Sequence, residues 1–302
     1  MLGHGTRGQS GFTLLELVLV LSIGGTVLGV ATALGVRSAR FHRELGLAGD
    51  RLDQVGQTAA LLAVDLRAIA PGEGDIAGGQ ARDTALQFRA TIGSSLACDT
   101  AGPRVSLAPV AATSPPLAAY VTAPAAGDTA WFLSMEAAGP RWRARAITGV
   151  GSDLGRCWIG GRDLSGTAAP AARVVLTLAP GDSAVVTPGM PVRMTRLSRY
   201  SLYRSSDGNW YLGLREWNSA TGSFNAIQPV SGPFLSAARG GLVLRYRDSL
   251  GATIASGAAD TRGIALIDVA ILSDSGIAGR AGAFGSGSTR SVFSVALRNR
   301  IR

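Results

Sequence analysis

Residues 12–36 form a run of 25 in which Glu16 is the only charge. About 20 predominantly apolar residues carry a helix across bilayer hydrocarbon, so this run is long enough to span. No other stretch of the chain constrains the fold so tightly, because whatever follows must hang from a membrane helix. The lone carboxylate constrains it further. A charge near the middle of a span costs about 2.5–3.5 kcal/mol on insertion scales, and such residues usually meet a partner. Glu16 also lies five residues past Gly11, which closes a short polar leader.

The stretch Gly11-Phe12-Thr13-Leu14-Leu15-Glu16 resembles the cleavage and methylation motif of type IV prepilins and type II secretion pseudopilins. It combines a small residue at the cut, Phe after it, Glu at the fifth position beyond the cut and an uninterrupted apolar helix. The resemblance implies that a prepilin peptidase cuts after Gly11, on the cytoplasmic side of the inner membrane, and methylates the new amine of Phe12. Residues 1–11 are then a leader outside the mature fold. Residues 12–70 are a long helix, membrane-spanning over 12–36 and amphipathic over 37–70. Residues 71–302 are a β-rich periplasmic or extracellular head. Glu16 assists assembly by pairing with the Phe12 amine of a neighbouring subunit. An amine and a carboxylate that meet in apolar surroundings offset desolvation costs that neither tolerates alone. The partners implied are the peptidase, the inner membrane and other major and minor pilins or pseudopilins.

Three other readings compete. A secretory signal peptide needs an apolar core of about 7–15 residues with a small-residue cut after it; here the run is longer and the cut-like glycine precedes it. A plain anchor gives Glu16 nothing to do. A reversed orientation is suggested by Arg37, Arg40 and Arg43 just past the span, since basic residues favour the cytoplasmic flank. The exported orientation is preferred because the helix continues through them and because of the two cysteines.

Charge is uneven. All 29 Lys or Arg residues are Arg. Residues 12–70 balance five Arg against five acids, so the head carries 23 Arg against 15 acids. A basic head suits nucleic acid, anionic lipid or an acidic partner. No run of consecutive basic residues appears, so a dispersed, solvated surface is preferred and nucleic acid stays unsupported. Cys98 and Cys157 are the only cysteines, outside any C-x-x-C pair, and past the leader the sole histidine is His42. Zinc is therefore disfavoured. In an oxidising compartment two cysteines usually join, which makes Cys98–Cys157 a disulfide candidate; two buried thiols are the alternative.

Beyond the span, Leu45, Leu52, Val55, Ala59, Leu62, Leu66 and Ile69 recur at helical spacing on one face, until Pro71-Gly72 ends the pattern. Gly24, Gly25, Gly29 and Gly35 either loosen the front of this helix or let neighbouring helices approach. Residues 71–82 read as a Gly-rich loop and 84–91 as a first strand. Residues 93–128 read as a long irregular excursion with at most one short strand. Strands are expected at 130–135 and 142–148 as a hairpin, then at 156–159, 173–178, 192–203, 210–217, 224–230, 242–247, 264–272 and 291–297. Asp207-Gly208-Asn209 is a hairpin turn signal, residues 276–288 a flexible loop, and 264–272 the central strand. The fold class is α+β and pilin-like: a long N-terminal transmembrane and amphipathic helix packed on an antiparallel β-sheet head. Gly241-Leu242 with Tyr246, and Leu297-Arg298-Asn299, are similar to features of the larger minor members, the J-type pseudopilins and W-type minor pilins.

Catalysis needs a positioned base or nucleophile. Beyond His42 there is no histidine, and no Gly-x-Ser-x-Gly or phosphate-binding glycine motif occurs. No catalytic residue, metal or cofactor is expected, and calcium is unsupported because Asp248, Asp260, Asp268 and Asp274 are scattered. Trp210, Tyr211 and Trp217 beside Arg199, Arg204 and Arg215 suit stacking on single-stranded nucleic acid; cross-strand pairing within a hairpin is the preferred reading. The expected function is a minor pilin or pseudopilin that initiates or caps a type IV pilus or type II secretion pseudopilus. The alternative is a filament-tip binding module for DNA or a surface ligand.

Overall fold

A computed structural model describes residues 14–110, 117–137, 139–164, 169–180, 186–273 and 289–297. The chain divides into two compact units, Met1–Asp53 and Gln54–Arg302. Helix α1 (Leu14–Arg67) supplies the described structure of the first unit, and its last turns belong to the second.

Within the first unit, Leu14–Arg43 is long and apolar enough to cross a membrane. Its large aliphatic side chains are exposed. Its hydroxyl groups turn back on the helix. Ser22 donates to the Val18 carbonyl, Thr26 to Ile23 and Thr32 to Leu28 and Gly29, all at 2.8–2.9 Å. These three hydroxyls therefore need no water, as a hydrocarbon environment requires.

In the second unit, Val55, Leu62, Leu66 and Ile69 are buried. The helix then tightens: the amides of Ala68 and Ile69 bond three residues back, to Asp65 and Leu66. Pro71, which has no N–H to continue the ladder, opens a 3₁₀ turn, Pro71–Glu73, closed by Gly74 at φ 87°. The helix therefore stops at Arg67, a little short of the sequence expectation.

The head is antiparallel throughout. Its strands are β1 (Ala85–Ala101), β2 (Arg104–Leu107), β3 (Ala119–Tyr120), β4 (Thr129–Glu136), β5 (Gly139–Gly155), β6 (Trp158–Ile159), β7 (Arg162–Asp163), β8 (Ala171–Leu178), β9 (Pro191–Arg204), β10 (Trp210–Asn218), β11 (Ser223–Phe224) and β12 (Gln228–Phe234). These are followed by β13 (Leu242–Arg247), β14 (Thr253–Ile254), β15 (Leu266–Leu272) and β16 (Arg290–Ala296). The last four form a separate sheet in the order β14-β13-β15-β16, with β15 between two partners as expected of residues 264–272. The third strand expected at 224–230 is divided between β11 and β12, which both pair with β10. Residues 276–288 and 298–302 lie outside the described residues.

The pairings of the larger sheet close on themselves. β9 pairs with β4, β4 with β5, β5 with β8, β8 with β2, β2 with β1, and β1 returns to β9. Six strands thus form a barrel. Two of them, β1 and β5, are 17 residues long and turn its corners. β1 leaves β9 for β2 near a register shift between Ala97 and Asp99, and β5 leaves β4 for β8 at one between Ile147 and Gly149. Bulges of this kind sharpen bend and twist, letting a strand pass from one sheet to another. Much of the excursion expected at 93–128 is therefore strand. Ile92, Ala97, Val105, Leu107, Ala130, Phe132, Ile147, Leu176, Leu178, Val192 and Met194 fill the interior.

A second core lies under α1. Val55, Leu62, Leu66 and Ile69 pack with Leu86 and Phe88 of β1, Tyr200 of β9, Leu212 of β10 and Phe234 of β12, and with β13, β15 and β16 through Leu242, Leu244, Tyr246, Ile267, Val269, Ile271 and Val295. Gly241 is required at the seam between the sheets, because a Cβ there would overlap the Leu235 carbonyl oxygen.

Candidate functional site

The first site suggested by the sequence begins at the amino terminus. Gly11 and Phe12 lie outside the described residues. Glu16 lies on α1 near the start of the described residues, and its side chain is exposed. It is followed by the hydroxyl-satisfied apolar segment that carries no other charge up to Val36. A helix of this kind offers a membrane or a neighbouring helix one ionic contact and otherwise shape.

Residues 6–32 match the prokaryotic N-terminal methylation motif. This motif supports a type IV pilin-like or pseudopilin-like protein, a class that is structural and processed by a prepilin peptidase. With the apolar helix behind it, it supports membrane anchoring as well. No curated protein and no solved structure matches the chain. The motif covers a small part of the chain, so it speaks for the amino terminus and leaves the head to its own geometry.

In the head, Cys98 and Cys157 form a disulfide with Cα atoms 4.9 Å apart. It ties the corner of β1 to the segment just before β6; the strand expected at 156–159 begins only at Trp158. Both cysteines are buried with Ala108 and Ala118 in a small core of their own. Among the described residues no group of His, Cys, Asp or Glu could hold a metal ion.

The six basic and aromatic residues singled out on the β9–β10 hairpin are divided between its two faces, four on one and two on the other. Their register pairs Arg199 with Arg215, Tyr203 with Tyr211 and Arg204 with Trp210. Side chains alternate across a strand. Arg199, Arg215, Tyr211 and Trp217 therefore share one face, while Arg204 and Trp210 share the face of the buried Leu212. Tyr203 and Tyr211 pack with ring centroids 6.1 Å apart, and Trp217 meets Phe224 edge-on at 5.3 Å. The aromatics are thus used in cross-strand pairs.

The sequence missed a buried ionic centre. Asp75 falls in what reads as a Gly-rich polar loop, yet its side chain is fully buried. Its carboxylate accepts the Ala70 amide at 2.8 Å and both terminal nitrogens of Arg193 at 2.9 and 3.0 Å. The Arg193 guanidinium lies over Trp131 and Trp142, 5.3 and 5.9 Å from the ring centroids. Trp131 donates to Thr195 at 2.9 Å. Burial raises the Asp75 carboxyl above its ordinary range, with Arg193 pulling the other way. Burial likewise lowers the nearby Arg89. The centre links the exit of α1 to β9, β4 and β5.

Two further arginines brace the barrel. Arg173 reaches Asp153 with two bonds of 2.8 Å and the Arg156 carbonyl with a third; Ser106 donates to the same carboxylate. The Arg173 hydrogen bonds hold the Asp153 carboxyl below its usual range. Its guanidinium covers Gly155, where a Cβ would collide with it. Arg196 holds Asp128 through two bonds of 2.9 Å and Glu216 at 3.3 Å. In both arrangements the carboxylates are turned toward a guanidinium.

Proposed function

We propose that this chain is a minor pilin or pseudopilin. It is cut after Gly11, methylated on Phe12 and anchored in the bacterial inner membrane by residues 12–36 with its head on the periplasmic side. It joins related subunits through the Glu16–Phe12 amine pair to start or cap a type IV pilus or a type II secretion pseudopilus. The observation that carries this reading is the methylation motif at residues 6–32 running directly into the spanning helix. The large head favours a J-type or W-type subunit at the tip, since the resemblance implies smaller heads for subunits repeated along a thin filament. The deciding experiment is intact mass and amino-terminal sequencing of the membrane form, made with and without a prepilin peptidase. A chain starting at N-methylated Phe12 only when the peptidase is present is the expected result. An uncut Met1, or a cut after the apolar run, would remove the main support. Glu16→Val should then insert normally and fail to assemble; unchanged filament yield would remove the pairing role.

A second reading, a tip module that binds nucleic acid or another anionic surface ligand, is favoured by one observation. Arg199 and Arg215 stand directly opposite each other on β9 and β10, and like charges so placed destabilise a sheet unless an anion lies between them. Two phosphate contacts predict binding whose logarithm falls against log salt with a slope of about 1.4 for a single strand. Oligonucleotide binding by the full chain that shows no salt dependence, or none that Arg199→Gln and Arg215→Gln remove, would discard this reading.

A further inference from the structure

Three guanidinium groups sit where the apolar run of α1 ends. Arg37, Arg40 and Arg43 follow Val36 at intervals of three. All three are exposed, and among the described residues none has a hydrogen bond or an ion pair. On an α-helix this spacing spreads them over about a third of the circumference and about 9 Å of axis. Phe41 lies among them, 58% exposed, with its ring edge-on to His42 at 6.2 Å. The run before them is 25 residues, or about 37 Å of helix. Hydrocarbon is about 30 Å thick and the bilayer about 40–45 Å with its headgroups. A helix that enters at residue 12 therefore carries residues 37–43 into the far headgroup layer.

The chemistry of that layer fits these side chains. Arginine lays its apolar stem along hydrocarbon and keeps its head at the interface. Its planar fork matches two phosphate oxygens at once, which an ammonium cannot do. We propose that Arg37, Arg40 and Arg43 bind the phosphodiester groups of the phospholipids in the bilayer that residues 12–36 cross, forming a collar that fixes the depth of the helix. The collar rests on membrane insertion of that helix and not on filament assembly. Both leaflets carry phosphates, so it acts in either orientation. Its position immediately beyond the last apolar residue favours lipid over acidic side chains of a second copy, which would not need to lie there.

The test uses the full chain, labelled with ¹⁵N-arginine and reconstituted in vesicles of phosphatidylethanolamine and phosphatidylglycerol. After an alkaline carbonate wash, solid-state NMR measures dephasing of guanidinium ¹⁵N by lipid ³¹P. The expected result is strong dephasing, most of which is lost in the Arg37→Gln, Arg40→Gln, Arg43→Gln triple variant. Circular dichroism of the variant should match that of the parent chain. No dephasing in the parent chain, or equal dephasing in the glutamine variant, overturns the collar while leaving the anchor intact. Contact with labelled carboxylates of a second copy in place of phosphorus overturns it in favour of a subunit interface. Loss of the parent chain in the carbonate wash overturns membrane insertion, and the collar with it.

Discussion

The core under α1 and the core inside the barrel share β1 and β9 but are closed by different means. The first is a sheet face roofed by a helix. It uses large side chains, among them Phe88, Phe234, Tyr246 and Leu66, and is fastened at the roof by polar links. Tyr200 donates to Asp65 at 2.5 Å and Thr58 to Ser231 at 2.6 Å. The second needs no roof, because six strands pair around it and leave no edge where they meet. Its interior includes Ala97 and Ala130 beside Phe132 and Met194, and its fastenings are the disulfide, Arg173–Asp153 and Arg196–Asp128. A roofed core depends on an element from elsewhere in the chain, whereas a closed ring depends on its corners. The Asp75–Arg193 pair stands where the two dependencies meet.

Emptying either core puts the greatest strain on this comparison. Phe88→Ala under the helix and Phe132→Ala in the barrel should each cost about 3–5 kcal/mol. Because β1 and β9 run through both cores, calorimetry should still show one transition for each variant. Two separated transitions would mean that the cores fold independently. Arg193→Met comes next. It leaves a buried carboxylate without its cation, for which about 3–5 kcal/mol at neutral pH is expected. The Asp75 carboxyl is raised by burial, so its contribution favours the fold fully below the unfolded value of 3.8 and is lost as pH rises through the folded value. The deficit of Arg193→Met should therefore shrink in acid; a deficit independent of pH between 4 and 7 in urea titrations would place the loss in the tryptophan contacts instead.

Removing the disulfide with Cys98→Ser and Cys157→Ser should cost about 2–4 kcal/mol. Hydrogen exchange should rise at the β1 corner and not under α1. Equal loss of protection in both regions would erase the difference in fastening. The smallest effect is expected at Asp153, a partly exposed pair worth about 0.2–1 kcal/mol. Its carboxyl is lowered by Arg173, so its contribution is present above 3.8 and is lost as pH falls through the folded value. The deficit of Asp153→Asn should be seen at pH 7 and fade in acid.

What the sequence disclosed follows the range of each signal. The buried stripe Val55, Leu62, Leu66 and Ile69 is a local period, and it was readable. So was the Asp207-Gly208-Asn209 turn, where Gly208 takes φ 84° and Asn209 donates to Asp207 at 3.0 Å. The barrel was not readable, for two physical reasons. At the corner of β1 the alternation fails, since Ala97 and Cys98 are both buried, and a strand that changes partners looks irregular. The closure itself is the pairing of β1 with β9, about a hundred residues apart, and periodicity carries no record of the partner. Asp75 was missed because a carboxylate in a glycine-rich loop looks solvated until Arg193, far along the chain, is seen to meet it. The processing motif is the opposite case: its residues are adjacent, so it could be read whole, while its partners belong to other molecules.

The hydroxyls of α1 have a further consequence. Ser22, Thr26 and Thr32 spend their hydrogen bonds on carbonyls of their own helix, so these three hydroxyls offer no directional contact to anything that slides past them. Under the proposed pairing of Glu16 with a neighbour's Phe12 amine, register along residues 14–36 is otherwise degenerate and that pair sets it. A neighbour bearing one matching cation would be held at one height and at no other, and if that pair were lost the two rods would still touch but would no longer have a preferred step.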